Sequence, residues 1–219
     1  MVAELDMNFY LKETEALNYN HSSFDLFFNG VDLLLPKKEL AKLLYVKVRE
    51  GFLYDPFHLD LRRESLKGNI ILAKKKAWCV EKSIVLAACA RRVGIPSRLG
   101  YSIVVNHIGV ERLLSYLKRN EIVFHGFVEL YVEGVWLKCT PSFDSRICRL
   151  SGVSSLDWDG ESDSLFQPFQ GEKLFMEYVH QYGVFDDVPI TLMNSEMKKF
   201  YPHLFSERYD SNQFSFFHE

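Results

Sequence analysis

Cys79-Val-Glu-Lys-Ser-Ile-Val-Leu-Ala-Ala-Cys-Ala-Arg-Arg-Val93 is the stretch that decides the fold. With Leu86, Ala87, Ala88 and Ala90 as helix formers, Arg91 and Arg92 in its last turn, Gly94 as a stop and Pro96 just beyond, it predicts a helix. Apolar residues fall on both of its faces, so the helix is expected at the centre of a domain. Upstream, Pro36 opens an amphipathic helix over Lys37 to Arg49, with apolar residues at 40, 43, 44, 46 and 48. Residues 8–12 have strand character, and the polar stretch to Ser23 reads as loop. Downstream, Ser97 to Asn106 reads as a strand and Val110 to Arg119 as a short inserted helix. Residues 122–132 and 135–140 form a hairpin around Glu133-Gly134. A loop at 151–170, a helix at about 171–181 and another at about 190–200 complete the chain. One buried helix followed by an antiparallel sheet is an α+β arrangement. A single domain over 1–219 is expected, with its core at about 40–145 and a C-terminal helical extension at about 146–219.

Composition supports one globular domain. Of 219 residues, 47% are hydrophobic and 25% charged, and 18 Phe, 11 Tyr and 3 Trp supply a core that needs no disulfide or metal staple. The 26 Lys and Arg fall short of the 29 Asp and Glu, giving a net charge of −3 and no basic excess for a phosphate backbone. Nucleic acid is therefore not an expected partner. The longest purely apolar run, Ile84 to Ala90, is far shorter than the roughly 20 residues that span a bilayer, so no membrane partner is expected either. Met1-Val-Ala-Glu-Leu-Asp-Met-Asn8 lacks the cationic flank of a secretory signal, and a cytoplasmic location is the expectation.

Cys79, Cys89, Cys139 and Cys148 include no short-spaced pair, which argues against a zinc knuckle or a disulfide framework. Cys79 stands where loop becomes helix, directly after Lys74-Lys-Lys-Ala-Trp78. Unpaired amides, the helix dipole and nearby ammonium groups all favour thiolate there. The bland alternative is a small buried hydrophobe, as most free cysteines are. Cys89 is expected in the core, and Cys139 on the opposite face of its strand from Thr140.

The hairpin allows the surroundings of His125 to be worked out. With a two-residue turn at Glu133-Gly134, Val132 faces Val135, Glu129 faces Lys138, Phe127 faces Thr140 and His125 faces Ser142. Thr140 is then a diagonal neighbour of His125, roughly 7–8 Å away between backbones, and its hydroxyl could fix the imidazole tautomer.

Trp78-Cys-Val-Glu-Lys-Ser83, Leu86-Ala-Ala88, Gly94-Ile-Pro-Ser-Arg98, His125-Gly-Phe-Val-Glu-Leu-Tyr-Val-Glu-Gly-Val-Trp136 and Thr140-Pro-Ser-Phe-Asp144 follow one another in the order used by transglutaminase-like enzymes of the papain fold. The sequence resembles that family. The likeness extends to an uncharacterised bacterial subgroup through Asn106-His107, Leu156-Asp-Trp-Asp-Gly160, Asp163-Ser-Leu-Phe166, Met176-Glu-Tyr178 and Gly183-Val-Phe-Asp-Asp-Val-Pro189, covering about 40–202. It implies a papain-like core whose central helix carries catalytic Cys79, with His125 as its base and position 140 as the third member. It also implies thiol-dependent acyl transfer on a peptide or protein substrate, as a protease, amidase or crosslinker, with no cofactor and no metal. Where the family commonly has Asp before Pro, this chain has Thr140, which can orient a histidine but brings no charge. Asp144 or Glu129 is then the possible charge partner, and Trp78, Tyr54 and His107 are candidates to line the cleft. The rival reading is a peptide-binding module that keeps the cleft without efficient turnover.

Other features carry less. Asp157, Asp159, Glu161 and Asp163 alternate, but an EF-hand loop needs glycine at position 6 and glutamate at position 12, which are absent. The Lys74 to Lys76 run reads as a solvated loop, with substrate steering as the alternative. Tyr54, His58 and Asn69 lie where an oxyanion-stabilising side chain is placed in related enzymes, while the Cys79 backbone amide is a donor whose direction the helix itself sets. Nothing in the chain specifies an oligomeric state.

Overall fold

The computed structural model describes residues 7–106, 111–165 and 176–205. In chain order the elements are α1 (Ser23–Phe27), α2 (Lys37–Gly51), β1 (Leu53–Tyr54), α3 (Gly68–Ile71), β2 (Lys76–Ala77), α4 (Cys79–Arg92), β3 (Ser97–Asn106), α5 (Glu111–Leu117), β4 (Glu121–Val132), β5 (Val135–Cys139), α6 (Ser145–Leu150), β6 (Met176–Phe185) and α7 (Ile190–Phe200). Short 3₁₀ turns sit at Phe9–Leu11, Arg63–Leu66 and Pro202–Leu204.

A four-stranded antiparallel sheet in the order β5-β4-β3-β6 forms one layer, and α4 lies against it with α2 packed behind. Every residue of α4 from Cys79 to Arg91 is buried. Each fully covered Ile84, Val85 and Leu86 side chain contributes roughly 1.5–3 kcal/mol. Lys82 is buried on the same helix, its Nζ donating to the Arg49 carbonyl at 2.8 Å near the end of α2, and burial pulls its pKa down to about 8.

The hairpin register follows its turn. Glu133 and Gly134 both have positive φ, 51° and 88°, as a two-residue loop of this kind requires, and Val132 pairs with Val135 and Glu129 with Lys138. The ladder ends at Val128 and Cys139. Beyond it, the expected pairs of Phe127 with Thr140 and His125 with Ser142 do not form. The chain instead turns to residue 164, whose carbonyl accepts from the Thr140 N–H at 3.2 Å. That segment competes for the same edge.

Three expectations are corrected. Residues 8–12 make a 3₁₀ turn with no partner strand among the described residues, and the Tyr10 and Trp136 rings meet edge to face with centroids 5.3 Å apart. The helix expected at about 171–181 is strand β6 over its described part, residues 176–185, because the free edge of β3 recruits it. The region after 145 is therefore not a purely helical extension: it contributes α6, then the fourth strand of the sheet, then α7. No described helix is long and apolar enough to cross a membrane.

Candidate active site

Trp78, in extended conformation, is the N-cap of α4, and Cys79 is its first residue. Glu81 reaches back so that its carboxylate accepts from the Trp78 N–H at 3.2 Å, which anchors the helix start. Gly126 of β4 lies directly beneath. A Cβ on Gly126 would sit 3.1 Å from Val80 Cα and 3.2 Å from the Cys79 carbonyl carbon, so the close approach of helix to strand needs glycine. The backbone N–H groups of Gly126, Val80 and Cys79 each act to lower the Cys79 thiol.

His125 precedes Gly126, and a β-bulge aims it. Ser102 pairs with His125 and Val104 with Ile122, so β4 carries one residue more than β3 between these pairs. Phe124 takes up the extra length with φ of 61°, a conformation costly for a bulky residue. The bulge is braced by Tyr201, whose hydroxyl accepts from Val123 N–H at 2.8 Å and donates to the Glu121 carbonyl at 2.7 Å.

Thr140 meets the imidazole from the other side. Its hydroxyl proton is directed to the Gly126 carbonyl at 3.0 Å, leaving oxygen lone pairs toward His125 Nε2 at 3.4 Å and Ser142 Oγ at 3.2 Å. With its own proton committed, Thr140 can only accept from the imidazole. This favours the neutral tautomer carrying hydrogen on Nε2 and leaves Nδ1 as the basic nitrogen.

The carboxylates considered as charge partners are engaged elsewhere. Asp144 caps α6, accepting from the Arg146, Ile147 and Tyr54 N–H groups at 3.0, 3.2 and 2.6 Å. Glu129 pairs with Arg98, whose guanidinium stacks on Trp136 at 3.9 Å from its centroid. Burial alone lowers His125 to about 4. It also raises Cys79 to about 11, against the three N–H groups, with Glu81 adding to the rise. The lysine run does not lower the thiol as expected, because Lys74 pairs with Glu81 and Lys76 with Asp55 at 3.2 Å. Cys79 and His125 are 2% and 1% exposed, so the resting pair is thiol and neutral imidazole.

Aromatic rings cover the pair. Phe143 lies parallel to the imidazole at 6.4 Å, Tyr178 presents its edge at 6.0 Å, and Tyr54 packs against Phe143 at 4.7 Å. A charge on Cys79 would be felt by both tyrosines. Tyr178 belongs to the Met176-Glu-Tyr178 stretch of the family likeness but was not among the expected cleft residues, because it lies on the strand read as helix. Trp78 is buried at the helix start. Of the three candidate oxyanion donors, Tyr54 is the one near the thiol. His58 is held by Asp55 at 2.7 Å and Asn69 by Asn18 at 2.6 Å. His107 lies outside the described residues. Cys89, Cys139 and Cys148 are buried, and no disulfide joins cysteines among the described residues. No group of three metal-ligating side chains occurs among the described residues. Asp157 pairs with Arg49, and Asp159 accepts from the Glu161 and Ser162 N–H groups.

The family model of the transglutaminase-like superfamily matches residues 31–141, about half of the chain. The chain belongs to that superfamily. The match runs from the loop before α2 through α4, β3 and the hairpin to Pro141, and so takes in Cys79, His125 and Thr140. Among solved structures, a candidate cysteine protease from Cytophaga hutchinsonii is similar at 12% identity with a TM-score of 0.48, over 63% of this chain. The match covers 42% of that protein, so this chain spans less than half of its length. No curated protein matches significantly.

Proposed function

We propose that this protein is a thiol-dependent hydrolase of amide or ester bonds in peptides or proteins, with Cys79 as nucleophile, His125 as acid and base, and Thr140 as the group that orients His125. The observation that supports this reading is the packing of the Cys79 end of α4 on Gly126, whose chain neighbour His125 turns Nε2 to Thr140. As sulfur attacks the carbonyl carbon, the thiol proton passes to His125 Nδ1. The imidazolium then protonates the leaving amine or alcohol, giving a thioester. Water, deprotonated by His125, attacks that thioester, releasing the acid and restoring the thiol. An amine in place of water would make the same site a crosslinker. The Cys79 backbone N–H is the oxyanion donor favoured here, with Tyr54 beside it.

The starting pair is uncharged, so ion-pair formation is coupled to substrate attack. Replacing either Cys79 or His125 with Ala is expected to lower turnover of a casein or peptide-ester substrate by about a thousandfold or more. Turnover within tenfold of wild type in Cys79→Ala would end the proposal. A second reading has its own observation: a buried, neutral imidazole with no carboxylate partner among the described residues suits a peptide-binding module without turnover. Peptide binding by wild type with no Cys79-dependent product would favour it.

A further inference from the structure

β1 and β2 form a parallel ribbon, Leu53 beside Lys76 and Tyr54 beside Ala77, that runs straight into the N-cap of α4. Successive residues of an extended segment point to opposite sides. Tyr54 turns toward the Cys79 cleft, and Asp55 faces a separate surface pocket of about 400 Å³ lined by Asp55, His58, Lys74, Lys75, Lys76 and Glu81, with Ala77 at its base. Lys76 and Glu81 of the pocket lie three and two residues from Cys79 along the chain.

The pocket is built from the inside. Asp55 and Glu81 are 8% and 2% exposed. Asp55 holds Lys76 at 3.2 Å and His58 at 2.7 Å, and Glu81 holds Lys74. The two carboxylates thus fix the direction of cationic groups around the rim. Lys75 is exposed and has no ion-pair partner among the described residues. Three ammonium groups against two carboxylates leave one uncompensated positive charge among the lysines and acids of the pocket. A long, flexible ammonium held by a buried carboxylate is already positioned before a ligand arrives, so binding an anion costs less side-chain entropy than at a free lysine.

We propose that this pocket binds a carboxylate carried by the substrate a short distance from the bond that Cys79 attacks, so that the enzyme prefers acidic peptides. The inference rests on the hydrolase reading, because it takes the pocket and cleft to be filled by one ligand. Lys75 and Lys76 would make the contact, with Lys74 adding to the local potential. The carboxylate could be an Asp or Glu side chain or a chain terminus.

Calorimetry on the Cys79→Ala protein separates binding from chemistry. Three peptides are compared: an acetylated, amidated pentapeptide with central glutamate, its glutamine counterpart, and the glutamine peptide with a free terminal carboxylate. At least one acidic peptide is expected to bind about tenfold more tightly than the neutral one, and which does so identifies the source of the carboxylate. Adding Lys75→Gln and Lys76→Gln, both exposed and outside the core, should erase that preference while neutral-peptide affinity and the thermal midpoint stay unchanged. Equal affinities for all three, no binding at millimolar peptide, or a preference that survives the lysine substitutions would overturn the pocket. Acid-selective binding without any Cys79-dependent turnover in wild type would instead sink the hydrolase reading and leave the pocket standing.

Discussion

Two titratable clusters flank the start of α4 and differ in almost every electrostatic respect. On the sheet side, Cys79 and His125 are dry, ringed by Tyr54, Phe143 and Tyr178, and driven to their neutral forms by burial. Beside the β1–β2 ribbon, Lys74, Lys75, Lys76, His58, Asp55 and Glu81 share an open pocket where charges pair with charges. Asp55 is lowered, its burial outweighed by the Phe57 N–H, His58 and Lys76, whereas Glu81 is raised because burial outweighs Lys74. Proximity along the chain therefore says little about proton affinity. Lys74 is five residues from Cys79 yet acts on Glu81, and covering rings from three distant segments set the thiol.

The largest expected effect concerns the dry side. His125 is held near 4 against an ordinary value of about 6.5, so the folded state resists protonation that the unfolded chain accepts. Stability is undiminished above about pH 6.5 and declines as pH falls toward 4, by something of the order of 3 kcal/mol. His125→Gln removes that loss. Urea unfolding of both proteins from pH 7 to 4 should show the wild-type curve falling relative to that of the variant by about that amount, and parallel curves would mean the imidazole is hydrated.

Thr140→Asp brings a carboxylate into the dry region. A negative charge beside His125 favours imidazolium, and imidazolium favours thiolate, so the midpoint of Cys79 alkylation should fall by about one to two pH units from its position near 11. Iodoacetamide rates followed by peptide mass spectrometry give the midpoint. An unchanged midpoint would remove Thr140 from the site.

Tyr178→Ala opens the cover without adding charge. Water reaching the thiol weakens the desolvation, and alkylation of Cys79 at pH 8 should accelerate by about tenfold while Cys89, buried within α4, stays slow. Equal acceleration of both cysteines would indicate general loosening.

The smallest effect belongs to the charged side. Lys76 is 57% exposed at its side chain, and its pair with Asp55 is screened. Lys76→Gln should shift stability by less than about 1 kcal/mol and leave the Cys79 alkylation midpoint in place. A clear move of that midpoint would erase the distinction between the two clusters.

Much of the site was legible before the structure because its pieces are local. The α4 boundary shows in its Arg-rich end, Gly94 and Pro96, and the β4–β5 register follows from a two-residue turn with alternating side chains. The Thr140–His125 neighbourhood came from a register that continued further than the real ladder. The two residues nevertheless meet, because Thr140 reaches the Gly126 carbonyl after β5 has ended. By contrast, Met176 to Phe185 carries no strict alternation, with Glu177, Val179, His180 and Gln181 all exposed. Its strand state depends on the edge of β3, and the place of Tyr178 depends on that strand.

The amino-acid sequence by itself determined the central helix, the cysteine at its start and the histidine on the following hairpin, since propensity, capping and period-two pairing act over a few residues. Only the tertiary structure decided the charge states and companions of those residues. Phe124 adopts its positive φ inside a bulge braced from α7, Asp144 turns to α6 and Tyr54, Glu129 turns to Arg98, and three aromatic rings exclude water from Cys79 and His125. Burial and partnership are properties of segments far apart in the chain, and desolvation, the largest influence on the proton affinities of this pair, exists only once those segments have met.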